Sequence, residues 1–340
     1  MAKGRFDIPV MAPPMPVVQR EYPISPRENL MRAFRHEKPM WMPAIYQSTQ
    51  WIFPSVFNDL PQDFTKDGED WFGTKYKYEA IQSGHTPIPG LFDEIGEWRE
   101  KMKYPDLQSM DWGGDAFKLD DNLAAATRLG NGNFERLHMS EGFEQALCDI
   151  LLEQEECKAF FDRNGQYKIE IFELIHKHYP LDFVCHNDDW ANARASFFSN
   201  EVFENTLLDS AVALADAVHS KGCGYMLHCC GFMEAFLPYI VNDIKADVLE
   251  VQNINDIRMI LDKYGEKTSP IYHPDPYIMY DPGLTPDEAR AYARKIVDDY
   301  GAHTCDGSGA VARLIGSHPE SYYAFEDELF HYSLELYSKI

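Results

Sequence analysis

The stretch Leu227–Phe232, LHCCGF, places a histidine and two cysteines next to one another. Side chains two positions apart on a β-strand lie on the same face, so His228 and Cys230 are predicted to share a face. Cys229 is predicted to point to the other side. Because zinc favours imidazole nitrogen and thiolate sulfur as ligands, this spacing indicates that His228 and Cys230 bind a metal.

Polar side chains also end the other short β-rich runs in the second half of the chain. These runs are 181–185, 224–228, 247–251, 269–273 and 301–305. At or just after their ends lie Asn187, Asp188, Asp189, His228, Cys230, Glu250, Gln252, His273, Asp275, His303 and Cys305. In a (β/α)8 barrel the carboxyl ends of all strands meet on one face, where active sites are built. The series therefore predicts a barrel with a functional mouth rather than an open sheet.

Groups that can move protons or bind polar ligands accompany the predicted metal ligands. The catalytic candidates are Asp188, Asp189, Glu250 and His273, and the candidates for contacts to a cofactor are Asn187, Gln252 and Asp275. A single histidine at a strand end is more often a hydrogen-bonded core or rim residue, because buried polar groups need partners. The two adjacent aspartates could equally cap the following helix.

Strands alternate with amphipathic helices after residue 140. The predicted helices are 201–220, 232–242, 255–264 and 285–300, and the run 42–46 is predicted to be the first strand. Capping boxes indicate helix starts after Ser25 and after Thr285. This alternation is typical of right-handed parallel units.

Two further segments complete the predicted architecture. Residues 1–23 form a proline-rich N-terminal arm, and residues 60–135 are rich in glycine, aromatic and turn residues that are typical of insertions. We therefore predict an α/β fold, in which residues 24–340 form a single (β/α)8 TIM barrel with loop-rich insertions.

Composition restricts the partners of the chain. Its formal charge of −24, from 31 basic and 55 acidic residues, disfavours nucleic acid and anionic lipid. No apolar run approaches the ~20 residues of a membrane span, and prolines interrupt the N-terminal segment where a signal peptide would be continuous. The seven cysteines are an odd number and do not suggest a secreted disulfide framework. We expect a cytoplasmic protein with reduced thiols.

Three segments carry a family resemblance. The run 224–252, GYMLHCCGFMEAFLPYIVNDIKADVLEVQ, resembles the late barrel of the uroporphyrinogen decarboxylase superfamily. The opening SPRENLMRAFRHEKPMWMPA, 25–44, is similar to that family's first helix and strand, and 181–222 resembles its middle. The resemblance implies a (β/α)8 barrel.

The residues favour one branch of that superfamily. Decarboxylases carry an arginine-rich segment after the first strand and a histidine in a late glycine turn. Here YQSTQWIFPS contains no arginine, and the turn Asp306–Gly309 contains no histidine. The cobamide-dependent methyltransferase branch carries H-x-C and a downstream cysteine, which implies His228, Cys230 and Cys305 as zinc ligands. The glycine turn aligns the family's second cysteine nearer Ser308, so Glu250, His273 and His303 remain alternative third ligands.

The resemblance also implies a reaction and a partner. Zinc would activate a small methylated substrate or a thiol, and the methyl group would pass to or from a corrinoid carried by a partner corrinoid protein. Aromatic residues near the first strand and in the insertions suggest a pocket for methoxylated aromatics, that is, O-demethylation; they are Trp51, Phe53, Trp71, Phe72, Tyr76 and Tyr78. A homodimer is left open.

Two other functions compete with this one. The first is a metal-independent, uroporphyrinogen decarboxylase-like lyase on the same barrel. The second is a non-catalytic binding module in which the polar strand ends only hold loops in place.

Overall fold

The computed structural model describes much of the chain between residues 18 and 339. The described residues are 18, 20–61, 63, 65–79, 84–273, 275, 278, 281, 283–301, 310–311 and 319–339. The predicted arm lies mostly outside them, as do His303 and Cys305 of the run 301–305. No helix among the described residues is both long and apolar enough to cross a membrane.

A curled sheet of parallel strands forms the centre of the molecule. The strands are β1 Thr49–Trp51, β2 Gly68–Glu69, β3 Lys75–Glu79, β4 Gly84–Ile88, β5 Ala124–Leu129, β6 Phe183–Asn187, β7 Gly224–Cys229, β8 Val248–Val251, β9 Ser269–Tyr272 and β10 Ala310–Val311. Seven of them pair in parallel in the order β1-β5-β6-β7-β8-β9-β10, and β2, β3 and β4 form a separate antiparallel sheet. The strands of this parallel sheet lie side by side in the order in which they occur in the chain, as in a barrel. An eighth strand and closure of the sheet remain predictions.

Helices follow most strands of the parallel sheet. The α-helices of the described residues are α1 Pro26–Phe34, α2 Ile45–Ser48, α3 Trp98–Lys101, α4 Asn133–Glu141, α5 Phe143–Leu152, α6 Gln154–His178, α7 Asn200–Thr206, α8 Leu208–Ser220, α9 Leu237–Asn242, α10 Ile257–Tyr264, α11 Pro286–Tyr300 and α12 Pro319–Tyr337. The predicted α/β class is thus confirmed. The capping box at Thr285 is also confirmed, since its side chain accepts the N–H of Glu288 and the Glu288 carboxylate accepts the N–H of Thr285.

Several predicted elements were wrong in detail. The run 42–46 is not a strand: its end belongs to α2, and β1 begins only at Thr49. Short apolar runs carry too little periodicity to separate helix from strand. The single helix predicted over 201–220 is divided at Leu207 into α7 and α8. Strand β5, in the segment predicted to be loop-rich, was missed.

The inner face of the parallel sheet is apolar at its lower level. Cys185, Met226, Val248 and Ile271 pack there with helix α1, whose Phe34 closes the amino end of the sheet. A Cβ at Gly224 would lie 2.4 Å from Phe34 Cδ1, so only glycine admits this ring. Two residues further along each strand the inner face becomes polar, because side chains alternate between faces.

A buried charged cluster connects the insertion to the helices around the sheet. This Arg136 cluster consists of Arg136, Asp59, Asp70 and Lys168, whose side chains are 0–4% exposed. Arg136 Nη2 donates to Asp59 Oδ1 at 2.8 Å, and Arg136 Nη1 bonds Asp70. Lys168 Nζ lies 3.3 Å from Asp59 Oδ2. Asp70 belongs to the insertion, Asp59 immediately precedes it, and Arg136 and Lys168 belong to α4 and α6, so these bonds fix the insertion in place.

Candidate metal site at the carboxyl ends of the strands

Strands β5, β7 and β8 bring three polar side chains together inside the curl of the sheet. Glu250, on β8, accepts hydrogen bonds from Arg128 Nη2 at 3.1 Å and His228 Nδ1 at 2.8 Å through Oε2. Its Oε1 accepts from His273 Nε2, just beyond β9, at 2.9 Å. These four residues are the Glu250 cluster.

Glu250 is the ionised centre of this cluster. Its side chain is 1% exposed, and burial alone would raise its pKa. The charges of Arg128 and His228 outweigh burial and hold the pKa of Glu250 well below its ordinary value. An ionised carboxylate can only accept hydrogen bonds, so both histidines must donate to it.

This arrangement decides which nitrogen of His228 can bind a metal. Nδ1 carries the proton that is donated to Glu250, which leaves Nε2 as the ligand atom. Nε2 lies 3.3 Å from Cys230 Sγ and 4.0 Å from Asp189 Oδ1. Burial lowers the pKa of His228, but Glu250 and Cys230 together raise it well above its ordinary value. Burial raises the pKa of the Cys230 thiol. A metal here would therefore displace protons from both groups.

Two groups of side chains among the described residues have ligand atoms within 4.8 Å of one another. One is Asp189, His228 and Cys230, and the other is His228, Glu250 and His273. In the second group the facing atoms already bond one another. The first group presents His228 Nε2, a thiol and a carboxylate to one point. Nitrogen, sulfur and oxygen donors in this combination suit zinc.

The turn after β7 fixes Cys230. Its backbone N–H donates to Asp189 Oδ1 at 2.7 Å, and the N–H of Gly231 donates to Gln252 Oε1 at 3.1 Å. Gly231 has φ +92°, and a Cβ there would lie 2.4 Å from the carbonyl of Ala191. Glycine is therefore required after Cys230, and Gln252 positions this turn.

Asp188 and Asp189 lie side by side in sequence but point to different parts of the molecule. Asp188 is 1% exposed, and its carboxylate accepts the N–H groups of Asn133, Phe134 and Glu135 at 2.9–3.1 Å. Burial raises its pKa to about 6, although these bonds oppose the rise. Asp188 thus caps α4, a helix that precedes it in the chain, whereas Asp189 faces His228 and Cys230.

The other predicted site residues lie around the Glu250 cluster or outside the described residues. Asn187 Oδ1 accepts a weak bond from Cys185 Sγ at 3.4 Å. The N–H of Asp275 donates to Tyr292 Oη of α11 at 2.7 Å, away from the contacts of His228. Cys229 is fully buried and accepts from the N–H of Trp190 at 3.3 Å. Cys305 is not described, so its role as a ligand stays a prediction.

Arg128 is the site residue that sequence reasoning missed. It lies on β5, whose sequence AAATRL contains few residues typical of strands. Alternation of Ala124, Ala126 and Arg128 on the inner face was the available signal. The guanidinium also lies 5.3 Å from the ring centre of Trp51.

Comparisons with known proteins give a likeness in fold. No family model matches the chain, and no curated protein matches its sequence. Among solved structures, a methyltransferase from Methanosarcina mazei is similar, with a TM-score of 0.58 and 12% sequence identity. The match covers 90% of this chain and 98% of that chain. At this identity the likeness shows that the two chains share a fold.

Proposed function

We propose that the chain is a zinc-dependent methyltransferase. It moves a methyl group between a small substrate, either a methoxylated aromatic compound or a thiol, and a corrinoid carried by a partner protein. The observation that carries the proposal is the orientation of His228: Glu250 occupies Nδ1, and Nε2 faces Cys230 at 3.3 Å. The fold shared with a methyltransferase supports the reaction class.

His228 and Cys230 hold the zinc in this proposal, and the family resemblance adds Cys305. When bound, zinc supplies Lewis acidity toward the oxygen or sulfur of the substrate. Glu250 fixes the tautomer and orientation of His228, as carboxylates do behind zinc-bound histidines. Arg128 compensates the charge of Glu250 at 3.1 Å and so keeps this carboxylate an acceptor.

His273 is positioned to handle a proton. Its Nε2 donates to Glu250 Oε1, so its Nδ1 is the nitrogen that can accept a proton. The side chain is 28% exposed, which makes it accessible from the mouth of the sheet. We assign Nδ1 of His273 as the acceptor of a thiol proton, or in the reverse direction the donor to a leaving oxygen.

The aromatic residues predicted to line a pocket have mixed surroundings. Phe72 and Tyr76 are 1% exposed and pack inside the insertion, where the Arg136 guanidinium lies 4.2 Å from the ring centre of Phe72. Trp51 lies against Arg128. Phe72 and Tyr76 therefore stabilise the insertion, and Trp51 contacts the Glu250 cluster through Arg128.

The proposal is tested by metal content and by methyl transfer. We expect about one zinc per purified chain, and formation of methyl-cobalt when reduced corrinoid protein is mixed with methoxybenzoates. Cys230→Ser and His228→Ala should lose both the zinc and the transfer. Cys229→Ala is the matched control, because it removes the adjacent thiol from the outer face and should keep both.

Two results would contradict the proposal. The first is full zinc retention in both Cys230→Ser and His228→Ala. The second is a metal-free protein that stays active, which would favour a metal-independent lyase. Circular dichroism of each variant shows whether the fold has survived the substitution.

A further inference from the structure

We propose that Asp189 is itself a ligand of this metal, and that Asp189, His228 and Cys230 form the protein part of the site. This inference rests on the proposed function, since it assumes that zinc binds at His228 and Cys230. It changes the ligand set: the third ligand comes from the end of β6, next to β7, rather than from Cys305.

The first argument is distance. Tetrahedral zinc with bonds of 2.0–2.3 Å separates its ligand atoms by roughly 3.3–3.8 Å. His228 Nε2 lies 3.3 Å from Cys230 Sγ and 4.0 Å from Asp189 Oδ1. A small rotation of the Asp189 side chain would therefore place the three ligand atoms at three vertices of a tetrahedron.

The second argument is the rigid backbone around the three residues. The N–H of Asp188 donates to the carbonyl of His228 at 3.1 Å, and the N–H of Cys230 donates to Asp189 Oδ1 at 2.7 Å. The ends of β6 and β7 are thus joined by bonds in both directions. Asp189 approaches His228 and Cys230 from a fixed position, and its Oδ2 takes no part in these bonds.

The third argument is charge. Among the described residues, no lysine or arginine forms an ion pair with Asp189, and its nearest basic atom is His228 Nε2. By contrast, Glu250 is paired with Arg128, and Asp188 is bound by the N-terminal N–H groups of α4. A divalent cation would supply the positively charged partner that no lysine or arginine provides for the Asp189 carboxylate among the described residues.

The fourth argument is access. The side chain of Asp189 is 31% exposed and that of His228 is 15% exposed, so the three ligand atoms lie at the mouth rather than in the core. Catalytic zinc sites commonly have three protein ligands and one position for the substrate. Asp189, His228 and Cys230 supply three ligands and leave such a position.

The test compares Asp189→Asn with the wild-type full-length chain. Asparagine keeps the shape and an oxygen that can accept the N–H of Cys230, so a purely structural role predicts no change. If Asp189 is a ligand, Asp189→Asn should weaken zinc binding more than about 100-fold. This exceeds the roughly 10–100-fold loss that is typical when a residue that only hydrogen-bonds to a ligand is replaced. Competition with a chromogenic chelator measures the affinity.

Cobalt(II) substitution provides a second readout that does not depend on activity. Loss of a carboxylate ligand should change the visible d–d bands of the cobalt protein, while the thiolate-to-cobalt band from Cys230 is kept. Asp216→Asn is the control, because it removes the same charge from an exposed position on α8. Thermal unfolding of both variants checks the fold.

The outcomes separate this inference from the proposed function. If the wild type binds zinc and Asp189→Asn has wild-type affinity and cobalt bands, the inference is overturned and the function stands. The inference would also be overturned, in favour of Cys305, if Cys305→Ser lost its zinc while Asp189→Asn kept it. If the wild type binds no zinc, the proposed function fails, and the ligand set fails with it.

Discussion

The Arg136 cluster and the Glu250 cluster contain the same kinds of charged groups, but they differ in access. Every side chain of the Arg136 cluster is at most 4% exposed, and two cations face two carboxylates. In the Glu250 cluster only the central carboxylate is sealed, whereas Arg128, His228 and His273 are 15–28% exposed. One cluster is closed on itself, and the other opens at the mouth of the sheet.

This difference separates a structural network from a candidate site. The charges of the Arg136 cluster neutralise one another between the insertion and the helices. The Glu250 cluster instead leaves a nitrogen of His228 directed at Cys230 and Asp189. Strongly perturbed titratable groups occur in both kinds of environment, so accessible atoms distinguish them better than perturbed pKa values do.

The largest expected effect comes from breaking the closed cluster. Arg136→Met leaves Asp59 and Asp70 buried with Lys168 as their remaining cation. Removing one partner of a buried ion pair costs about 3–5 kcal/mol, because the remaining charge is not compensated. We expect the free energy of unfolding, measured with urea, to fall by this amount. Zinc content of the folded fraction should stay at the wild-type level.

The control for Arg136→Met is Arg99→Met. Arg99 pairs with Glu156 on the surface, with the arginine side chain 51% exposed. Exposed ion pairs contribute about 0–1 kcal/mol, so this variant should unfold close to the wild type. Equal losses in both variants, or loss of zinc from folded Arg136→Met, would remove the distinction between the two clusters.

The sequence predicted the open region better than the closed one. His228, Cys230, Glu250 and His273 were identified because strand parity and position at strand ends are local properties that a sequence displays. Their hydrogen bonds to one another depend on the register between strands and were not predictable. The Arg136 cluster was missed altogether, since its members are brought together only by the packing of the insertion.

The roles of the two aspartates show the same limit. Asp188 and Asp189 were predicted as equivalent catalytic candidates, with helix capping as the alternative. The structure divides them, because Asp188 meets the amino end of α4, 53–55 residues earlier in the chain. The fold class was predictable from alternation of strands and helices, but β5 was not, as its alanine-rich sequence has low strand propensity.

A smaller effect is expected at the open cluster. Arg128→Met removes one of three donors to Glu250, and His228 and His273 remain. We expect a loss of about 2 kcal/mol in the free energy of unfolding, less than for Arg136→Met. Zinc affinity should fall about 10–100-fold, because Arg128 acts through Glu250 on a predicted ligand. Wild-type zinc affinity in a folded Arg128→Met protein would show that Glu250 does not need this cation.

The last prediction differs in kind, because its effect depends on pH, and it concerns a buried carboxyl that belongs to neither cluster. Glu141, at the end of α4, is 9% exposed, and no lysine or arginine pairs with it among the described residues. Burial and the nearby Asp149 raise the pKa of Glu141 to about 9.

The folded protein therefore keeps the proton of Glu141 between about pH 4.5 and pH 9, where the unfolded chain releases it. As a result, the contribution of Glu141 to stability falls as pH rises through this range and is constant below it. Glu141→Gln stays neutral, so it should match the wild type near pH 4.5 and become progressively more stable than the wild type as pH rises to 8. Urea unfolding at several pH values measures this difference, with the exposed Glu144→Gln as control. A difference that is independent of pH would mean that Glu141 is ionised in the folded protein, and that a buried carboxylate can persist here without the cations that both clusters contain.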